Sequence, residues 1–148
     1  MSEHQWILIG FETLGQAINM QAESVLTMSI LAGTMRGVGG AAIKQDLRSF
    51  VLAELEDTYR LVEKLSALGG TPTMTATDVS VSDDGDKALS ALLDHEVKAV
   101  AALHAVIPHS GQEPRSEALE HMLEHVIMRK QQQIDYLWHA AEREEPLA

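Results

Sequence analysis

The chain has 148 residues, enough for one domain with a sizeable core, and its 45% hydrophobic content includes only 4% aromatic residues. This balance favours aliphatic side chains packed between helices and predicts an all-α fold. A formal net charge of −11 opposes binding to a phosphate backbone, so nucleic acid is excluded as a main partner. Because the chain contains no cysteine, disulfides and thiolate metal sites are excluded as well.

A first amphipathic helix is predicted over residues 11–36. Its inward positions recur at helical spacing and include one amide: Phe11, Leu14, Ile18, Gln21, Val25 and Met28. The apolar run before this helix, 6–9, is too short for a membrane span and has no basic segment in front of it. We therefore expect a soluble, cytoplasmic protein with no membrane partner.

A second helix is predicted over residues 41–68, between two glycine-rich breaks. The stretch 37–40 separates it from the first helix, and Gly69 with Pro72 ends it. Its inward positions are Ile43, Leu47, Phe50, Glu54, Asp57, Leu61, Leu65 and Leu68. The first two helices therefore form a hairpin, and the middle of the second seam carries two carboxylates.

A polar segment, 71–83, is typical of a long crossover and leads to a third helix over residues 84–107, for which Asp83 or Asp84 can serve as the N-cap. The inward positions of this helix are Leu89, Leu92, Glu96, Ala99, Leu103 and Val106. A fourth helix is predicted over 116–141 with Ser116 as its N-cap. Its inward positions are Leu119, Leu123, Val126, Lys130, Gln133 and Leu137.

All four apolar seams are interrupted near the middle by polar side chains, which are Gln21, Glu54, Asp57, Glu96, Lys130 and Gln133. A charge in a bundle core is costly unless it is paired, protonated or bound to a cation. Gln21 and Glu54 are separated by 33 residues and Glu96 and Lys130 by 34, so the two hairpins place polar groups at matching heights. The pattern predicts one shared polar site in the middle of the bundle.

Three segments, DTYRLVEKLSALGGTP, LLDHEVKAV and QQQIDYLWH, together with the hairpin, crossover, hairpin order, resemble the ferritin-like superfamily, most closely bacterioferritins and small rubrerythrin-like proteins. That family builds a di-iron site from one Glu on each of two helices and a Glu-x-x-His on each of the other two. Placed on this pattern, Glu54 and Glu96 match Glu positions, and Asp57 and Gln133 stand where His is expected. Lys130 stands where the other motif has its Glu.

The resemblance implies a ferritin-like four-helix bundle forming a single domain over 1–148, a homo-oligomer, and a link to iron handling or oxidative stress. It makes iron the candidate cofactor and does not decide whether haem binds. The tentative metal ligands are Glu54, Asp57, Glu96 and Glu23, and the polar residues that replace ligands in the core are Gln21, Lys130 and Gln133. The sequence does not decide whether Gln21 or Glu23 faces inward, and no residue is assigned a catalytic role.

Two functional interpretations follow. In the first, the di-iron site is partly eroded, Lys130 supplies a charge that a metal would have provided, and the protein is non-catalytic or binds metal weakly. In the second, the carboxylates still bind iron and the protein is a ferroxidase of bacterioferritin type that feeds iron storage. Lys130 could instead extend to the bundle surface. A seam shifted by one residue would place the carboxylates on a solvated face.

A pair of histidines on the fourth helix offers a further alternative. His121 and His125 have i, i+4 spacing, which can bind a transition metal, but neither falls on the apolar seam, so a surface polar face is favoured. The spacing also permits a hemerythrin-like arrangement, for which His95 and His104 are only partial counterparts. The ferritin-like interpretation is therefore preferred.

Overall fold

The computed structural model describes residues 3–75, 78–110 and 114–141, which contain four long helices and no strand. These are α1 (Glu3–Thr34), α2 (Gly37–Ala67), α3 (Gly85–His104) and α4 (Pro114–Ala140). Helix α1 packs mainly on α2, α3 packs mainly on α4, and α1 also contacts α3. The predicted all-α bundle of two hairpins joined by a long crossover is confirmed. No helix in the described ranges is long and apolar enough to cross a membrane.

The first hairpin has a shorter connection than the sequence predicts. Helix α1 starts at Glu3 rather than near residue 11, and only Met35 and Arg36 separate it from α2. Gly37, at φ +82°, opens α2, whereas Gly40 lies inside its first turns. A Cβ on Gly40 would lie 3.2 Å from the backbone carbonyl carbon of Met35, so this glycine lets the connection pass close to the helix. The glycines thus serve a tight hairpin instead of a longer break.

The end of α2 follows from its glycines. Gly69 has φ +99°, its N–H donates to the carbonyl of Ser66, and the N–H of Gly70 donates to the carbonyl of Leu65. This is a Schellman motif, in which a left-handed glycine lets the chain turn back on the last helical carbonyls. The crossover then leaves α2 and is held against α1 by a hydrogen bond of 3.0 Å from the N–H of Thr75 to Oδ1 of Asn19.

The start of α3 is set by Asp84, whose Oδ1 accepts hydrogen bonds from the backbone N–H groups of Asp86 and Lys87. The helix ends at His104 instead of continuing to 107, and a short 3-10 helix, Ile107–His109, follows. Helix α4 begins at Pro114, so the assignment of Ser116 as its N-cap was wrong. Proline is favoured at the first helical position because its missing N–H would have no partner inside the helix there.

The core is divided into two apolar clusters with a polar layer between them. One cluster lies toward the α1–α2 connection and is built from residues such as Met28, Leu31, Leu47, Leu89, Leu92 and Leu137. The other lies toward the opposite end and includes Leu14, Ile18, Leu61, Leu65, Leu103 and Leu123. On α1, α2 and α4 the polar residues of the core fall between the members of the two clusters. The packing on both sides keeps the polar layer away from the bundle ends.

Candidate functional site in the bundle core

The polar layer contains six of the residues singled out from the sequence, and all six are buried: Gln21, Glu54, Asp57, Glu96, Lys130 and Gln133. Asp57 is the most exposed of them at 5%, and Glu54, Glu96 and Lys130 are at 0%. Every helix contributes at least one of the six. The four helices therefore bring one set of ionisable and amide groups together in a core that excludes solvent.

Lys130 lies between two carboxylates from different helices. Its Nζ is 2.6 Å from Oε1 of Glu54 on α2 and 2.5 Å from Oε2 of Glu96 on α3. The contact with Glu54 has hydrogen-bond geometry, whereas the contact with Glu96 is an ion pair without it. The side chain of Lys130 does not extend to the bundle surface, because its ammonium meets two opposite charges inside.

Glu54 is the most connected group of the layer. Besides the hydrogen bond from Lys130, Oε1 of Glu54 accepts one of 3.0 Å from Nε2 of Gln133. Oε2 of Glu54 accepts a hydrogen bond of 2.5 Å from Nε2 of Gln21. Burial by itself raises the pKa of Glu54, but the charges of Lys130 and Arg129, with the hydrogen bonds from Lys130 and Gln133, outweigh this effect. The pKa of Glu54 therefore lies below its ordinary value, which favours a carboxylate.

Arg129 is part of the site and was missed in the sequence. Its Nη2 lies 3.3 Å from Oε2 of Glu54, its Nε donates to Oδ2 of Asp57, and its Nη1 donates to Oε1 of Gln133. The guanidinium side chain is 19% exposed, so it lies at the edge of the layer. Its i, i+4 spacing to Gln133 was the available signal, since residues four apart on a helix are neighbours.

Three buried oxygens of the layer have no hydrogen-bond partner among the described residues. They are Oε1 of Gln21 on α1 and both carboxylate oxygens of Glu96 on α3, although Oε2 of Glu96 keeps its ion pair with Lys130. An unsatisfied buried acceptor typically costs about 1–3 kcal/mol. Nη2 of Arg129 also lacks a hydrogen-bond partner in the described part of the chain, because its contact with Glu54 is an ion pair only. The hydrogen bonds to Glu54 therefore come from Gln21, Lys130 and Gln133.

The structure does not bring Glu23 into this cluster. Gln21 faces inward at 0% exposure, and Glu23 lies roughly 200° farther round the helix, given 3.6 residues per turn. The Glu23 carboxylate is 39% exposed, and its Oε2 is 3.7 Å from Nδ1 of His95 on α3. The tentative assignment of Glu23 beside Glu54 and Glu96 is therefore not supported by its position.

The histidines of α4 lie outside the core. His121 and His125 are exposed, and Nδ1 of His121 is 3.8 Å from Oε2 of Glu124 in the next turn. In the ranges that the structure describes, no group of three or more His, Asp or Glu side chains is arranged so that it could hold a metal ion. The spacing of His121 and His125 thus corresponds to a solvated polar face.

The chain belongs to the ferritin-like domain family, whose model matches residues 11–143. No curated protein sequence matches it significantly. Among solved structures, a ferritin-like diiron-carboxylate protein from Bacillus anthracis is 20% identical with a TM-score of 0.85, and the match covers 96% of this chain and 100% of that one. This likeness, at such low identity, is evidence for the fold alone.

Two further structures show the same fold. A bacterioferritin from Rhodobacter capsulatus, with a metal-free dinuclear site and haem iron, is 15% identical with a TM-score of 0.77, and the match covers 94% of this chain and 84% of that one. A dodecameric thioferritin from Bacteroides fragilis is 11% identical with a TM-score of 0.79, and the match covers 90% and 84% of the two chains. The resemblance to ferritin-like proteins noted in the sequence is confirmed.

The donor set does not fit the di-iron centre expected of this family. The family's pattern supplies four carboxylates and two imidazoles. Here the two carboxylates that face each other across the core, Glu54 and Glu96, both contact the ammonium of Lys130. Asp57 contacts Arg129, and Gln133 offers an amide where an imidazole is expected. The space between the carboxylates is thus occupied by cationic side chains.

Proposed function

We propose that this protein is a metal-independent member of the ferritin-like family, acting as a structural or partner subunit in iron handling or the response to oxidative stress. The observation that carries the proposal is the buried contact of Lys130 Nζ with Glu54 and Glu96, at 2.6 and 2.5 Å. An ammonium at this position repels a divalent cation and uses the oxygens that would ligate it. A ferroxidase reaction at this site is therefore not expected.

The positive charge at this site is the ammonium of Lys130, which is covalently attached to the chain and cannot leave the core as a free ion could. Lys130 is fully buried and paired, so a metal would have to displace the ammonium and leave it without a counter-charge in a core that excludes water. Breaking a buried pair by removing one partner is strongly unfavourable. The carboxylates of Glu54 and Glu96 are therefore expected to stay paired with Lys130 and not to bind a metal ion.

Iron loading of the purified protein tests the proposal. Protein produced with abundant iron is expected to carry no bound iron in proportion to chains, and ferrous iron added in air is expected to oxidise no faster than in buffer. Iron at nearly one ion per chain, lost on the change Glu54→Gln, would contradict the proposal. That result would support the alternative, a ferroxidase using Glu54, Asp57 and Glu96. Glu56→Gln, at an exposed position of α2, serves as the matched control.

We also propose that the chain forms a homo-oligomer in the cytoplasm, as is typical of its family. Helix α2 exposes Leu52, Leu55 and Tyr59 at 62%, 50% and 60%. Their i, i+3, i+7 spacing places them on one face of the helix. A second copy of the chain is the partner that we propose for this face, and the dodecamer formed by the Bacteroides fragilis thioferritin supports assembly on this fold.

A further inference from the structure

Glu54 contacts two cations, one with each of its carboxylate oxygens. Oε1 is 2.6 Å from Nζ of Lys130, and Oε2 is 3.3 Å from Nη2 of Arg129. Each cation also has a carboxylate of its own, Glu96 for Lys130 and Asp57 for Arg129. The chain therefore arranges two positive charges around one bridging carboxylate and two terminal carboxylates.

This arrangement has the connectivity of a dinuclear metal centre, in which a carboxylate bridges two cations. We infer that side chains hold both positions that metal ions take in the family's dinuclear pattern, Lys130 one of them and Arg129 the other. The inference rests on the proposed function and extends it, because replacement of one metal would leave the second position open to a divalent ion. The contacts of Arg129 with Glu54 and Asp57 correspond to the second cation position.

The neutral groups of the layer support the assignment. Gln133 accepts from Arg129 through Oε1 and donates to Glu54 through Nε2, so it joins one cation to the bridging carboxylate. Gln21 donates to the oxygen of Glu54 that lies beside Arg129. A guanidinium presents several donors in a fixed fork, which allows Arg129 to meet Asp57, Gln133 and Glu54 together. A single ammonium at that position would not span the three acceptors as well.

The consequence is that two substitutions, made one after the other, should create two binding positions for divalent cations. Lys130→Glu removes one cation and adds a carboxylate between Glu54 and Glu96, which creates one all-oxygen site of the kind that Mn²⁺ accepts. The second position stays closed until Arg129 is also removed, and the oxygens of Asp57, Glu54 and Gln133 are then available there. Manganese is the suitable probe because it binds such ligands and is not oxidised by air under mild conditions.

The experiment counts Mn²⁺ bound per chain by calorimetric titration and by metal analysis after gel filtration. We expect no ion in the unchanged protein, one in Lys130→Glu, and two in the double variant Lys130→Glu with Arg129→Ala. The matched controls are Lys98→Glu and its double variant with Arg60→Ala, which make the same charge changes at exposed positions and should bind none at this site.

The outcomes separate the two proposals. Stoichiometric Mn²⁺ in the unchanged protein would overturn the proposed function. An unchanged protein without Mn²⁺, combined with two ions in Lys130→Glu alone or with only one in the double variant, would overturn the role of Arg129 and leave the proposed function standing. If the double variant does not fold without metal, recovery of helix content at two equivalents of Mn²⁺ supports the inference, and absence of recovery overturns it.

Discussion

The ammonium of Lys130 lies 2.6 Å from a carboxylate oxygen of Glu54 that is 76 residues earlier in the chain, and both side chains are fully buried. The pair joins α4 to α2, two helices whose backbones come close to each other at few positions. Glu96 on α3 and Gln21 on α1 complete the connections, so the layer links all four helices. Removing one of these buried charges should therefore change the stability of the bundle more than removing a charge from a surface ion pair would.

Removing the positive charge should destabilise the fold. Lys130→Met keeps an unbranched side chain of similar length but leaves the buried Glu54 and Glu96 without their shared cation. We expect a loss of about 3–5 kcal/mol in the free energy of unfolding, the range for breaking a buried ion pair. Urea denaturation followed by circular dichroism measures it, with exposed Lys98→Met as the control. An unchanged midpoint for Lys130→Met would show that the pair does not stabilise the bundle.

The contribution of Glu54 should depend on pH. Its pKa is lower in the folded protein than in the unfolded chain, where a glutamate has a pKa of about 4.3. The stabilisation is therefore present above that value and lost as the pH falls through the folded pKa. The difference in unfolding free energy between the unchanged protein and Glu54→Gln should shrink as the pH falls below about 4.3. Exposed Glu56→Gln is the control, and a difference that grows toward acid would contradict the expectation.

The N-cap of α3 gives a test that is independent of the site. Asp84 accepts hydrogen bonds from two backbone N–H groups, whereas Asp83, which has the same charge and the adjacent position, is not the N-cap. Asp84→Ala should lower the free energy of unfolding by about 1 kcal/mol, and Asp83→Ala should lower it much less. Equal effects of the two changes in chemical denaturation would mean that charge alone, and not the cap, stabilises the start of α3.

The exposed face of α2 should control assembly. Leu52 and Leu55 are 62% and 50% exposed on the single chain, so changing both to lysine should separate the copies without disturbing the core. Sedimentation velocity is expected to show a smaller species for this double variant with unchanged helix content. Met128→Lys, at a position of α4 with 55% exposure, tests an apolar surface residue elsewhere. Assembly lost with Met128→Lys and kept in the α2 variant would place the interface on the other hairpin.

Helical periodicity was sufficient to predict the architecture and the inward phase of each seam, because apolar residues repeat over many turns and small errors average out. It could not choose between Gln21 and Glu23, since a short stretch of α1 fits two neighbouring stripes. Arg129 was missed because its Cα lies one position off the seam and its long side chain reaches back to Asp57 and Gln133. Such reach depends on side-chain length and on partners from other helices, which periodicity does not describe.

The helix ends show the same limit. Ser116 is a good N-cap by residue type, but α4 starts earlier because Pro114 suits the first helical position. The glycines near residue 40 predict a break, whereas the close approach of Met35 to Gly40 shows that they allow a two-residue connection. The local preferences of several residues compete at such positions, and contacts with the neighbouring chain segment decide where the helix begins or ends.

The polar layer between the two apolar clusters also has a consequence for folding. Apolar seams of Leu and Val look alike from one turn to the next, so two hairpins could dock after sliding by about 5.4 Å, the pitch of one helical turn. Such a slip would move Lys130 and Arg129, both on α4, away from Glu54 on α2 and leave that carboxylate buried without a cation. The cost of that error selects a single register, in the way that one polar core residue fixes the alignment of a coiled coil. The buried charges of the layer thus set how the two halves of the molecule align.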